Sequence, residues 1–311
     1  MDCGQTGKCR FGLRSWVAAV AFAATWLIST GSQADTLYYE SFELRRMDTG
    51  AFGRGGICFP YSTSFSDSIA RVIPGSSIRV ELHGDDKNTP TCSQTQTNVS
   101  LDWVPPTKVL LKSRSEIKHG LLVPRVSAAP LGSKLWYQWS VYYPSNEGTF
   151  NSWWKSSRRV IIAEISGYGS NDSTVEVELI LGNSGRLDLD QHYSTGNSSV
   201  EQTLKTSGIA TLSPDTWNDI RIYFNRSHTN SGQVMIWVND KKVFDRVGPS
   251  AVKENPFAQF KTGFYFAIDV RKEVMVSYID EVRVGETEAD VNISADTTAT
   301  VAPSAPALQV Q

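Results

Sequence analysis

Between positions 77 and 284 the chain repeats one pattern: apolar and polar residues alternate over a short run, then break at a cluster of Gly, Asn, Ser or Pro. Alternation at a period of two places successive side chains on opposite faces of an extended strand, so each run predicts a half-buried β-strand. The runs lie at 77–82, 108–118, 135–144, 159–166, 174–181, 186–194, 217–225, 233–239, 259–269 and 274–284, with turn-rich links such as 167–173, 182–185 and 225–232. No stretch sustains a helical period, and no internal repeat is present. Many short antiparallel strands at this spacing predict an all-β domain, a β-sandwich or jelly roll.

The run 259–269 carries the chemistry that the others frame. Phe260, Phe264, Phe266 and Ile268 share one face, while Lys261, Gly263, Tyr265 and Asp269 share the other. The first face is a core. The second presents an amine, a phenol and a carboxylate, with a side-chain-free gap at Gly263 that a ligand can enter. In 108–118 the residues Lys108, Lys112, Arg114, Glu116 and Lys118 form a basic stripe opposite Val109, Leu111 and Ile117. In 159–166 Glu164 and Ser166 lie on one side, and in 186–194 Asp188, Asp190 and His192 do. If these strands are neighbours, their polar faces line a single groove. Ahead of 159 stand adjacent tryptophans, Trp153 and Trp154, which suit either a platform for sugar rings or, for Trp154, a lid over the core.

Composition bounds the setting. Residues 1–34 combine basic Lys8, Arg10 and Arg14, an apolar run from Trp16 to Ile28 and the small-residue exit Ser32-Gln33-Ala34, the pattern of a secretory signal peptide. The expected location is secreted or periplasmic, with no membrane association after cleavage. The formal charge of −2 becomes −4 once three basic residues and Asp2 are removed, which gives no global pull toward nucleic acid. Of four cysteines, Cys3 and Cys9 leave with the leader, so Cys58 and Cys92 are expected to form one disulfide. The domain is expected over 35–285, followed by a tail over 286–311 rich in Glu, Asp, Ala, Thr, Pro and Val that is expected to be disordered. No oligomeric state is marked in the sequence.

Arg114-Ser115-Glu116-Ile117, Val141-Tyr142-Tyr143-Pro144, Trp217-Asn218-Asp219-Ile220, the segment 232–240 (GQVMIWVND) and Phe260-Lys261-Thr262-Gly263-Phe264-Tyr265 occur in that order. The combination resembles the jelly-roll polysaccharide lyases, the heparin-lyase-like and glucuronan-lyase-like group with its alginate-lyase relatives. The resemblance implies a concanavalin-like jelly-roll β-sandwich and β-elimination on a uronate-containing, anionic polysaccharide with no required cofactor. Tyr265 matches the family's catalytic tyrosine; a free phenol titrates near 10, so it needs cationic neighbours to act near neutrality. Arg114 is expected to neutralise substrate charge, Glu116 to orient it, and Lys112, Lys261 and Glu164 to line the sugar site. The relatives carry Gln-x-His where this chain has Glu164-Ile165-Ser166, so His192 is the expected substitute base. An ionised Glu164 would repel a uronate unless protonated or paired with a basic residue.

Three other readings accompany this one. A lectin-like binding domain of the same fold would keep the groove without turnover. A glycoside hydrolase needs two flanking carboxylates, for which Glu176 with Glu178 or Asp188 with Asp190 are same-face pairs, each more simply a solvated strand face. Glu40, Glu43 and Asp280 resemble the ends of jelly-roll domains tied by a structural calcium ion, a cation that wants several oxygen ligands.

Overall fold

The protein is described by a computed structural model over residues 36–42, 53–54, 63–72, 75–83, 112–120, 123–156, 159–168, 175–195, 200–253, 255–267 and 273–293. Sixteen strands occur among the described residues: β1 (Tyr38–Glu40), β2 (Gly53–Arg54), β3 (Thr63–Ser66), β4 (Ser77–His83), β5 (Lys112–Lys118), β6 (Ala129–Pro130), β7 (Lys134–Tyr142), β8 (Val160–Tyr168), β9 (Val175–Leu181), β10 (Arg186–Ser194), β11 (Glu201–Thr211), β12 (Trp217–Asn225), β13 (Gln233–Val238), β14 (Lys241–Val247), β15 (Phe257–Ala267) and β16 (Val274–Gly285). They form two antiparallel sheets. One runs β14-β13-β12-β7-β16-β4-β3 with β1 beside β16; the other runs β11-β10-β9-β8-β15-β5-β2 with β6 beside β15. The described part of every alternating run falls on one strand of these sheets, with 108–111, 174 and 268–269 outside the described residues, so the all-β sandwich expected from the pattern is the fold.

The longer strands that the pattern did not predict are β11 and β14, and each ends its sheet. An end strand has solvent along one edge and on much of both faces, so nothing imposes an apolar period on it. Its sequence then looks like loop.

The core forms where the inward rows of the two sheets meet. β7 turns Leu135, Tyr137, Trp139 and Val141 inward, and β15 answers with Phe260 and Phe264, both fully buried. Phe260 lies 5.0 Å from the Tyr137 ring and 5.3 Å from the Trp139 ring. Burying one such side chain contributes about 1.5–3 kcal/mol. The paired tryptophans belong here too. They sit on a short helix, α1 of the core edge being Pro124–Ser127 and α2 being Phe150–Trp154, and each is only 6% exposed. Trp153 meets Phe264 edge-on at 6.0 Å and Trp154 lies 5.4 Å from Tyr143. The sugar-platform reading of Trp153 and Trp154 is therefore corrected: both indoles support β15 from inside. Gly185, at φ +78°, makes room for this, since a Cβ there would come within 2.7 Å of Trp154 and 2.2 Å of the Leu212 carbonyl oxygen.

One ion pair is buried with the core. Glu176 occupies a bulge in β9, where Ile165 pairs with Val177 but Ser166 pairs with Val175. Its carboxylate accepts two hydrogen bonds from Arg226, each 2.7 Å. Arg226 also donates to the carbonyls of Ala129, Asn255, Pro256 and Phe257. Neither side chain of the pair is more than 1% exposed. The solvated-face and hydrolase readings of Glu176 are both corrected by this placement. A fixed guanidinium fork fills its acceptors, and the arginine ties the end of β12 to the segments that enter β15.

The packed chain continues past the boundary expected at 285. The Asp290 carboxylate accepts the backbone N–H groups of Glu286 and Thr287 at 2.9 and 2.8 Å, and Val291 and Ile293 are fully buried. Residues 1–34, Cys58, Cys92 and 294–311 lie outside the described residues. Among the described residues no helix is long and apolar enough to cross a membrane.

Two stability measurements test this packing. Trp154→Ala is expected to lower the unfolding free energy by about 3–5 kcal/mol through the cavity it leaves, and a loss under ~1 kcal/mol in urea titration would contradict the buried placement. Arg226→Met is expected to cost about 3–5 kcal/mol by stranding the Glu176 carboxylate. Adding Glu176→Leu to it should recover much of that loss, and no recovery would contradict the pairing.

Candidate active site

On β15 the residues that alternate with the buried phenylalanines face away from the core. Thr262 stays inside, where its hydroxyl lies 2.6 Å from His119 Nε2. Burial pushes the His119 imidazole down to about 3, so it is neutral at any working pH. Lys261, Gly263 and Tyr265 take the outer face. The strand is regular against β5 but bulged against β8: Thr262 pairs with Ala163, and the next paired residue, Tyr265, is opposite Ile161. Gly263 sits in the bulge at φ +130°, a conformation open to glycine and strained for other residues.

The β5 side sets the backbone partner of Tyr265. Tyr265 pairs with Arg114, Gly263 with Glu116, Lys261 with Lys118 and Ala267 with Lys112. Directly opposed residues in an antiparallel pair hold their Cβ atoms about 5 Å apart. Arg114 and Tyr265 are therefore directly opposed backbone positions on neighbouring strands. Glu116 is buried in register with the side-chain gap at Gly263.

Lys261 and Glu164 were expected to reach toward sugar, and the structure turns them toward each other. Lys261, 7% exposed, pairs in register with Glu164, and its Nζ donates to Glu164 Oε1 and, at 2.9 Å, to Ser166 Oγ. The Ser166 hydroxyl donates in turn to Glu164 Oε1 at 2.7 Å. The Glu-x-Ser pair that stands in place of Gln-x-His is thus a triad with Lys261. A basic partner meets the Glu164 charge, which removes the expected conflict with an anionic substrate.

His192 is not brought to Tyr265. It lies on β10, three strands from β15, which is about 14 Å across the sheet. Its Nδ1 is engaged at 2.6 Å by Glu201 and at 3.2 Å by Thr203, both on β11. The role of substitute base beside Tyr265 is corrected by that separation. Asp188 likewise serves its own neighbourhood, accepting two 3.0 Å bonds from Arg186 and one of 2.7 Å from the Gly208 N–H. Of the candidate calcium ligands, those that are described have main-chain partners. Asp280 accepts the N–H groups of Arg71 and Glu281, Glu40 accepts that of Phe42, and Glu43 lies outside the described residues. Among the described residues no three ligating side chains form a cluster.

What the strand-by-strand reading did not bring out is a row that crosses six strands. Lys118, Lys261, Glu164, Glu178, Asp190 and Lys205 are successive register partners from β5 to β11. Asp190 is clasped by Arg159 at 2.9 Å and Lys205 at 3.1 Å. Glu164 and Asp190 are nearly inaccessible while Arg159 and Lys205 are 41% and 62% exposed, so this outer face has a recessed floor and a wet rim. The signal was present as matched parity on separate strands, but it needs the strand order to be read.

The segment 53–283 matches the family described as polysaccharide lyase. No curated protein matches the chain. Among solved structures, the endo-β-1,4-glucuronan lyase of the fungus Trichoderma reesei is similar with a TM-score of 0.59 and 16% identity, covering 83% of this chain and 98% of that one. The marine alginate lyase of Aplysia kurodai gives a TM-score of 0.48 and 12% identity over 81% of this chain and 99% of that one. The family match spans most of the two-sheet domain that carries Tyr265, Arg114 and Lys261, and the protein belongs to the polysaccharide lyase family.

Proposed function

We propose that this lyase is exported and cleaves a uronate-containing polysaccharide by β-elimination, with Tyr265 as the catalytic residue. The observation that carries the reading is the register of Arg114 against Tyr265 on the outer face of the second sheet. A uronate carboxylate held by the guanidinium acidifies the C5 proton, and an always-charged, fork-shaped cation suits that task. The Tyr265 phenolate removes the proton, the electron pair forms the C4–C5 double bond, the C4–O4 bond breaks, and the phenol returns its proton to O4. One side chain serves both steps when the proton and the leaving group lie on one side of the ring. The Lys261–Glu164–Ser166 triad keeps a paired, charge-neutral floor beside this centre. The fungal glucuronan lyase with this fold is named for an anionic polymer, in keeping with a uronate substrate. The leader pattern at 1–34 supports export.

Incubation with a panel of uronans should release products with the ultraviolet absorbance of a 4,5-unsaturated uronate. Tyr265→Phe is expected to reduce kcat at least about a hundredfold, the usual scale for loss of a general acid–base group, while binding changes little. Polymer binding with no new absorbance on the whole panel would leave a lectin-like domain and sink the proposal. Reducing sugar released without unsaturation would point to hydrolysis instead.

A further inference from the structure

We infer that the row Glu164–Glu178–Asp190 selects an uncharged or amine-bearing sugar beside the uronate that is cut, so that the substrate is a mixed chain rather than a homopolyuronate. This inference rests on the lyase reading above and names its substrate class more narrowly. Glu164 is opposite Glu178, and Glu178 is opposite Asp190. Like charges directly opposed across strands destabilise a sheet, yet three carboxyl side chains stand side by side here, on the face that carries Tyr265. A local rule broken on the sheet face that carries the proposed catalytic residue, one to three strands from it, points to function rather than to folding.

The pairing around the row decides what it can receive. Glu164 holds the ammonium of Lys261, and Asp190 holds Arg159 and Lys205. A uronate carboxylate placed here would have to draw one of those cations away from its partner. Glu178, between them, makes no hydrogen bond or ion pair among the described residues, and its side chain is half-buried rather than sealed. It is the carboxyl left to meet a ligand. A sugar hydroxyl donates to it, and an ammonium pairs with it. Another sugar carboxylate is repelled once it ionises.

Burial pushes the Glu178 carboxyl up to about 7; His192 and Arg159 act against that, while Glu164 and Asp190 add to it. Below that pH the group is protonated and tolerates an acidic sugar. Above it the group is ionised, so the preference should sharpen as pH rises through the neutral range.

The test uses the mature protein, with polyglucuronate and alginate as homopolyuronates and hyaluronan as a chain alternating glucuronate with an uncharged hexosamine. kcat/KM is read from the unsaturated-uronate absorbance, and Kd for each polymer from affinity electrophoresis, at pH 6 and pH 8. The mixed chain is expected to be favoured about tenfold or more at pH 8, the scale of one like-charge contact in a partly screened site. Glu178→Gln should shrink that preference by improving the homopolymers and should flatten its pH dependence, and Glu178→Lys should reverse it. Preference for a homopolyuronate that both substitutions leave unchanged would overturn the inference. If no polymer yields unsaturated product, the lyase reading fails, and the Kd ratios of wild type and both variants still decide this one.

Discussion

Phe260 lies between the rings of Tyr137 and Trp139 on the opposing sheet, and this contact governs what the rest of β15 can do. Strand alternation allows no choice afterwards: if Phe260 and Phe264 face the core, Lys261 and Tyr265 face away from it. The tryptophans of α2 reinforce the constraint by packing on Phe264 and Tyr143. A one-residue slip would carry a phenol and an ammonium into an aromatic core. The outer-face side chains of β15 are thus positioned by groups packed beneath them in the core.

Charge is handled in two ways in the same sandwich. Between the sheets, Glu176 and Arg226 neutralise each other without water, and the remaining donors of the arginine are satisfied by main-chain carbonyls. Such a pair gives little net stability over an apolar substitute but is costly to break in half. On the outer face of the second sheet the pairs are lateral and graded from floor to rim: Lys261 with Glu164, then Asp190 with Arg159 and Lys205. That face therefore holds many ionic groups with most of their charge met by a lateral partner.

Gly263 links the two levels. The bulge it occupies gives β15 one extra residue against β8 while leaving its pairing with β5 in register. Tyr265 therefore keeps Arg114 as its partner while its relation to Glu164 is shifted. A bulge next to a reactive side chain re-aims it without disturbing the core beneath.

The alternation along the chain determined the all-β class, the strands with one apolar face, and which side of β15 carries Lys261 and Tyr265, because a period of two is a local property that burial on one face imposes. The ordered elements from Arg114-Ser115-Glu116 to Lys261-x-Gly263-x-Tyr265 were enough to suggest the lyase resemblance. Local pattern could not show β11 and β14, whose place at sheet ends relieves them of apolar period. Nor could it tell that Trp153 and Trp154 are core, since a short helix buries side chains that a loop would expose. Partnership was likewise invisible: Lys261 with Glu164, Glu176 with Arg226 and the row from Lys118 to Lys205 join residues far apart in sequence. Which carboxylate is neutralised, and by what, depends on strand order and register, and only the tertiary structure decided those.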